Sequence, residues 1–243
     1  MKSEVSRFKL MVCIALLAGL VSCKKSGTTP ARFLVHNASW SAGAISALWN
    51  GQDITGNGLS QGSTTGLPGF PYQLLPGGTN LFAIKEGTTK LLEKNLYVKP
   101  GIGQSLFFYD SSPLLPELKI VFLTDDLTLP DSGNSKIRFI NFVPDTSLRV
   151  DFSVVSATDS IRLDSASQFI ELRAFNSYEV FNVYKVAKNY TVMIRKSGTG
   201  ELLSSIPDFP FESKGVYSIV FSGLPGGTGG STFRLSVIPH RSQ

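Results

Sequence analysis

The sequence predicts an all-β protein that consists of two tandem β-sandwich domains, immunoglobulin-like or transthyretin-like in type. Short runs rich in β-branched and aromatic residues follow one another from Ala31 onward, while helical periodicity is scarcely visible. The chain contains 23 glycines and 13 prolines, and these separate the runs as turn signals. The chain also repeats itself, and two copies of about a hundred residues with frequent turns are typical of paired sandwiches.

The first copy is expected to contain a succession of short strands. Their predicted ranges are 33–35, 44–49, 72–75, 80–85, 91–98, 105–109 and 118–123. One window with helical spacing, 88–95, is preceded by Gly87 and followed by the strand-like Leu96-Tyr97-Val98. This flanking favours a hairpin over a helix.

Three matches in the same order define the repeat. The segment 84–92 is similar to 194–203 with one inserted residue, Val35-His36 aligns with Ile140-Asn141, and 105–108 aligns with 218–221. We therefore predict a first domain at residues 31–130 and a second at 135–243. The joint at 125–134 is rich in turn residues and short, so it should restrict the two domains to a few relative orientations.

The N-terminus predicts an exported lipoprotein. Leu20-Val21-Ser22-Cys23 resembles a bacterial lipobox, and it follows a basic start and an apolar run, 10–20, that is too short to span a bilayer. We expect residues 1–22 to be a signal peptide, Cys23 to be acylated with palmitate-type chains, and residues 23–30 to form a flexible tether. The alternatives are a transmembrane helix and an ordinary cleaved signal peptide.

The predicted signal peptide and lipid anchor limit the chemistry of the mature protein. The second cysteine, Cys13, lies in the signal peptide, so the folded body is expected to lack disulfides, thiolate catalysis and cysteine metal sites. Lys24-Lys25 after the anchor, in place of acidic residues, favours the periplasmic face of the outer membrane over the cell surface. The membrane is therefore a predicted partner through the lipid anchor.

Composition is that of a globular chain without a nucleic-acid-binding charge pattern. Hydrophobic residues make up 42% and aromatic residues 11% of the chain. The net charge of +5 falls by two units when residues 1–22 are removed. The small excess that remains does not resemble a basic stripe, so we expect no nucleic-acid partner.

Several segments resemble a bacterial exported domain family, domain of unknown function 4397. In the first copy the resembling segments are Val35-His36-Asn37-Ala38-Ser39, Leu48-Trp49-Asn50-Gly51, Leu75-Pro76-Gly77-Gly78 and Leu123-Thr124-Asp125-Asp126-Leu127; in the second they are 138–145 and 148–152. The first copy lacks the Pro-Asp of the family's opening turn, and the second ends in Ile238-Pro239-His240-Arg241 where an acidic pair would stand. The resemblance implies a β-sandwich envelope protein and carries over no catalytic residue.

Catalytic patterns are weak. Ser60 lies in Gly58-Leu59-Ser60-Gln61-Gly62, which fits the nucleophile-elbow pattern, but the buried strand and following helix of that motif are missing. We interpret the match as chance rather than as a serine hydrolase. His36 and His240 lack metal-ligand spacing and are expected to have structural roles in turns or to lie on the surface.

The remaining candidates concern binding and modification. Asp125, Asp126 and Asp131 are a possible calcium site at the joint, although solvated or turn-capping carboxylates are the more common case. Glycan contact by aromatic rings near turns is weighed against a core role for the same residues, which are Trp40, Trp49, Phe70 and Tyr72. Ser160 and Ser165 follow aspartates in a pattern that some Gram-negative bacteria O-glycosylate.

The sequence therefore predicts a non-catalytic, lipid-anchored envelope protein with a binding or structural role and no cofactor. The expected partners are a glycan or another envelope protein. The alternatives are a carbohydrate-binding or adhesion module that uses exposed aromatic residues, and a serine hydrolase that uses Ser60.

Overall fold

The structure is a computed structural model that describes residues 29–56, 58–66, 70–115 and 117–241. In the first half the strands are β1 (Ala31–Asn37), β2 (Ile45–Trp49), β3 (Gln52–Asp53), β4 (Gln73–Leu75), β5 (Gly78–Glu86), β6 (Thr89–Val98), β7 (Gly103–Asp110) and β8 (Leu118–Asp125). In the second half they are β9 (Ser135–Asn141), β10 (Val150–Val155), β11 (Ser160–Ser167), β12 (Asn182–Tyr184), β13 (Asn189–Lys196), β14 (Leu202–Pro210), β15 (Val216–Ser222) and β16 (Arg234–Arg241). Short 3₁₀ helices span Ile170–Leu172, Phe175–Glu179 and Gly229–Ser231.

The strands form four sheets of four strands, which confirms the predicted all-β fold. The first half has the sheets β4-β1-β7-β8 and β3-β2-β5-β6, and the second half has β12-β9-β15-β16 and β11-β10-β13-β14. The pairs β1 with β7 and β9 with β15 are parallel, and the other paired strands are antiparallel. The window 88–95 lies in the β5–β6 hairpin, as predicted.

The two halves have the same strand order, and their registers define equivalent positions. Leu34 pairs with Ser105 in the first half, and Arg138 pairs with Ser218 in the second. Leu34 is therefore equivalent to Arg138, and Val35 to Phe139. The sequence alignment of Val35 with Ile140 is wrong by one residue, an error that exchanges the two faces of a strand.

Each half has its own sandwich core. In the first, the ring of Phe33 packs 5.0 Å from Trp49 and 5.9 Å from Phe82 between centroids. In the second, Phe139 and Phe152 lie 4.7 Å apart. Strands β2 and β10 alternate buried and half-buried residues, which is the pattern of a sheet with one face in the core.

A third apolar cluster joins the halves. It brings Leu34, Phe107 and Tyr109 of the first half against Phe142 and Ile140 of the second. Strands β7, β9 and β15 are buried along their whole length, because one face packs in a sandwich core and the other packs at this junction. No helix in the described part of the chain is long and apolar enough to cross a membrane.

Candidate functional site

A buried ion pair crosses the junction between the halves. Asp125 ends β8, Arg138 lies in β9, and their Oδ1 and Nη2 atoms are 2.7 Å apart with side chains 0% and 1% exposed. The contact is a charge pair without hydrogen-bond alignment, since Oδ1 and both terminal guanidinium nitrogens have no hydrogen-bond partner. The Arg138 guanidinium also lies over the Phe181 ring, 4.5 Å from its centroid.

The ion pair closes a ring of five polar side chains, the junction ring: Arg138, Ser218, His240, Tyr72 and Asp125. Arg138 Nε donates to Ser218 Oγ at 2.6 Å, and Ser218 Oγ lies 2.5 Å from His240 Nε2. His240 Nδ1 is 2.6 Å from the Tyr72 hydroxyl, which donates to Asp125 Oδ2 at 2.7 Å. The ring thus links Tyr72, just before β4, and Asp125 of β8 in one half to β9, β15 and β16 of the other.

The protons of the junction ring have one consistent arrangement. Burial lowers the pKa of His240 to about 3, so the imidazole is neutral. The charge of Asp125 acts to raise this pKa, and the charge of Arg138 acts to lower it. Burial, followed by the Asp125 charge, raises the pKa of Tyr72. Because the Tyr72 proton is donated to Asp125, the phenol oxygen accepts from Nδ1–H and Nε2 accepts from Ser218, which assigns the Nδ1–H tautomer.

The junction ring is built from equivalent positions with different side chains. Ser105, which donates to Asp125 Oδ2 at 2.7 Å, is equivalent to Ser218. The other equivalent pairs are Leu34 with Arg138 and Tyr72 with Phe181, whereas Asp125 is equivalent by register to Arg241, and His240 lies in the bulge next to it. With Tyr72 and His240 at 3% and 2% exposure, the ring has no surface for a substrate and joins the halves structurally.

Both histidines are buried, so the expectation of turn or surface positions is wrong. His36 lies inside β1, its Nδ1 is 2.9 Å from Thr64 Oγ1, and burial lowers its pKa to about 3, with a smaller effect from Arg234. The sequence misleads here because an imidazole in a doubly buried strand has no pattern that distinguishes it from one at a strand end.

The three acidic residues of the predicted calcium site do not converge. Asp125 belongs to the junction ring, and Asp126 is paired with Lys136 at 2.6 Å. The hydrogen bond from Lys136 lowers the pKa of Asp126 to about 2. Asp131 is exposed in the turn before β9, and the described ranges contain no cluster of three or more His, Cys, Asp or Glu residues suited to a metal.

The Ser60 hydroxyl is exposed and lies 2.8 Å from Ser63 Oγ. Both imidazoles are buried, and the segment around Ser60 contains turns and isolated bridges instead of the strand and helix of a nucleophile elbow. The two O-glycosylation candidates, Ser160 and Ser165, are both exposed on β11. Their modification stays a prediction.

Two of the rings predicted to contact a glycan are not exposed in this structure. Trp49 is 4% exposed because its ring packs in the first core, and Tyr72 is held in the junction ring. Trp40 is half-buried, with its backbone N–H donating to Asp110 and its carbonyl accepting from Gln61. Glycan contact by these residues stays a prediction, and Trp49 and Tyr72 present no ring face for it in this structure.

A cleft opens where the two sheets of the first half end side by side. One wall contains Trp49, Asn50, Gln52 and Asp53 from β2, β3 and the turn between them, and the other contains Gln73, Leu74 and Leu75 from β4 with the following Pro76. Its volume is about 460 Å³. We call it the edge cleft; sequence reasoning missed it, although the polar run that follows Trp49 was a usable signal.

The equivalent space in the second half is closed. Tyr184 is equivalent to Leu75, and its hydroxyl donates to the Leu163 carbonyl of β11 at 2.6 Å. The closing strand β11 has eight residues, whereas β3 has two. The open cleft is therefore particular to the first half.

The predicted signal peptide 1–22 and the acylated Cys23 lie outside the described residues, as does the tether up to residue 28. The domain boundaries at 31–130 and 135–243 stay predictions.

Comparison with known proteins gives a family and remote structural likenesses. No curated protein matches the chain. Among solved structures, the family 26 carbohydrate-binding module CBMbc of Amy13K from Eubacterium rectale, in complex with maltoheptaose, aligns at 10% identity and a TM-score of 0.24, over 85% of this chain and 96% of that chain. A likeness this remote carries no argument about function. The family described as domain of unknown function DUF4397 matches residues 31–152, half of the chain, and this protein belongs to that family.

Proposed function

We propose that the protein is a non-catalytic binding protein of the bacterial envelope, held at the periplasmic face of the outer membrane by acylated Cys23. The lipobox-like Leu20-Val21-Ser22-Cys23 supports the anchor, and Lys24-Lys25 supports the periplasmic face. In this proposal the second half is a further copy of the DUF4397 domain, an assignment supported by its identical strand order.

The observation that carries the binding role is the distribution of polar groups. Both imidazoles are buried, and the residues of the junction ring bond to one another. Among its described contacts, the Ser60 hydroxyl bonds only to another serine hydroxyl. The edge cleft, in contrast, presents amide and carboxylate groups to solvent in a space of ligand size.

The anchor is tested with the full-length protein and its Cys23→Ser variant, expressed in a Gram-negative host. We expect a mass increase from acyl chains and recovery in the membrane fraction for the parent, and neither for the variant. Equal membrane recovery of both would overturn the lipid anchor. Protease treatment of intact and lysed cells then distinguishes the faces, since a periplasmic protein is degraded only after lysis.

The non-catalytic assignment is tested by labelling with a fluorophosphonate probe. We expect no label on the parent protein, and label that disappears in Ser60→Ala would establish the hydrolase alternative. The intact mass of the same preparation also tests Ser160 and Ser165, because glycosylation adds hexose increments beyond the lipid.

A further inference from the structure

Resting on the binding role proposed above, we infer that the edge cleft is a saccharide site that takes an uncharged sugar through Gln52, Asp53 and Gln73. Sugar hydroxyls both donate and accept hydrogen bonds, so they are matched by groups that do the same. The cleft supplies two glutamine amides and a carboxylate acceptor, and none of the hydrogen bonds among the described residues uses either glutamine amide.

The Asp53 carboxylate is held in its charged form. Partial burial acts to raise its pKa, but hydrogen bonds from Thr55, followed by those from Ser46 and Gly56, outweigh this and lower it. Thr55 uses only the Oδ1 atom, through its backbone N–H at 2.7 Å and its hydroxyl at 2.6 Å. The Asp53 carboxylate lines the cleft, and a charged acceptor makes stronger hydrogen bonds to hydroxyls than a neutral one.

Trp49 and apolar side chains complete the lining of the cleft. Trp49 is nearly fully buried, and its ring packs in the first core. Ile54, Leu74 and Pro76 add apolar surface, which suits the C–H face of a sugar ring.

The dimensions disfavour a peptide added as a strand. The walls are the edges of two different sheets, and stacked sheets lie about 10 Å apart, whereas an added strand lies about 4.8 Å from its partner. The edges offered are also short, two residues in β3 and three in β4. A volume of about 460 Å³ is within the usual range of small-molecule sites, which is about 300–1,000 Å³.

The experiment uses the full chain in a detergent without a sugar headgroup. The probes are maltohexaose, cellohexaose, xylohexaose and chitohexaose, titrated while tryptophan fluorescence is recorded. The chain has two tryptophans, so Trp40→Phe leaves Trp49 as the single reporter. We expect one probe to change the emission of this variant as it does that of the parent.

Substitutions locate the binding. Gln73→Ala and Asp53→Ala should each weaken it about tenfold or more, the factor that corresponds to about 1.4 kcal/mol. The controls Asn189→Ala on β13, in the second half, and Asp131→Asn in the joint change exposed residues that do not line the cleft, and should leave the dissociation constant unchanged.

Three outcomes would overturn the inference: no binding of any probe, a signal lost in Trp40→Phe, or equal affinity of the cleft variants and the parent. A protein partner captured by crosslinking at the cleft in the absence of saccharide binding would preserve the binding role and reject the saccharide alone. Loss of the membrane anchor in the Cys23→Ser test would leave the saccharide result unaffected.

Discussion

The two halves of the chain share one strand order but use the same place in the fold differently. In the first half a two-residue β3 and the small Leu75 leave the edge cleft open, whereas in the second half an eight-residue β11 and the Tyr184 hydroxyl close it. Closing the space turns it into part of the second core, to which Tyr184 and Leu163 belong. A repeated fold can therefore keep a surface open in one copy and exchange it for packing in the other.

The junction shows the same division of roles. Both halves contribute equivalent faces, as in a symmetric dimer, yet the ion pair needs Asp125 of one half and Arg138 of the other. Leu34, the residue equivalent to Arg138, is apolar and forms no such pair. The ion pair of the junction therefore requires one first half and one second half.

The largest effect on stability is expected from Arg138→Leu. This substitution gives the second half the side chain of Leu34, which is the equivalent residue of the first half. It leaves the buried Asp125 without a counter-charge, and breaking such a pair costs about 3–5 kcal/mol of the free energy of unfolding. Urea denaturation of the full chain measures this. The double variant Arg138→Leu with Asp125→Leu should recover most of the loss; additive losses would show that the charge pair is not the cause.

Acid should destabilise both halves through their histidines. The folded pKa of His36 and of His240 is about 3, below the ordinary 6.5, so between these values the unfolded chain binds protons that the folded chain does not. The free energy of unfolding therefore falls as the pH drops from about 6.5 toward 3, by about 1.4 kcal/mol per pH unit for each histidine. Chemical denaturation at a series of pH values checks the slope.

The variants His36→Gln and His240→Gln assign this slope. Each should remove about half of it between pH 6 and pH 4, a window above the ordinary pKa of most carboxylates, about 4. An unchanged slope in either variant would mean that its imidazole titrates normally in the folded protein.

Opening the second half should have an intermediate effect. Tyr184→Leu removes the hydrogen bond to Leu163 and leaves the buried carbonyl without its partner, which costs about 1–3 kcal/mol. Tyr184→Phe removes only the hydroxyl and should lower the free energy of unfolding by about 1 kcal/mol. Thermal unfolding compares the two, and equal stability of the parent and both variants would contradict the closing role of Tyr184.

The smallest effect on stability is expected from Leu75→Tyr, which copies Tyr184 into the first half. Its side chain can extend into the edge cleft, so we expect a change of less than about 1.5 kcal/mol, as for tolerated core exchanges. Saccharide binding, in contrast, should be lost. Binding that persists in a folded Leu75→Tyr protein would place the ligand elsewhere.

The strands were predictable to the extent that local pattern determines them. The alternation in β2 and the turn after Trp49 are visible in the sequence, and the continuous apolar runs of β7 and β15 are typical of strands buried on both faces. The alignment of β1 with its equivalent strand β9 was not predictable, since a shift of one residue also aligns two similar apolar runs.

The junction ring and the edge cleft could not be derived from local pattern. Tyr72, Asp125, Arg138, Ser218 and His240 are far apart in the sequence and meet only after both sandwiches have formed and docked. The cleft exists because the short β3 leaves the space beside β4 unfilled. The aromatic residues that suggested a binding site were mostly packing side chains.

Leu75, which lines the cleft, pairs with Ala31 at the start of β1. The length of chain between Cys23 and Ala31 therefore limits the distance between the cleft and a membrane. Ala31 lies eight residue steps after Cys23, so even a fully extended chain reaches at most about 28 Å from an acylated Cys23 to the start of β1. The loops that follow β7 and β15 lie at the other end of their sheets. With the anchor as proposed, the opening would be confined to the layer next to the bilayer, and it would meet molecules attached to that surface in preference to those diffusing above it.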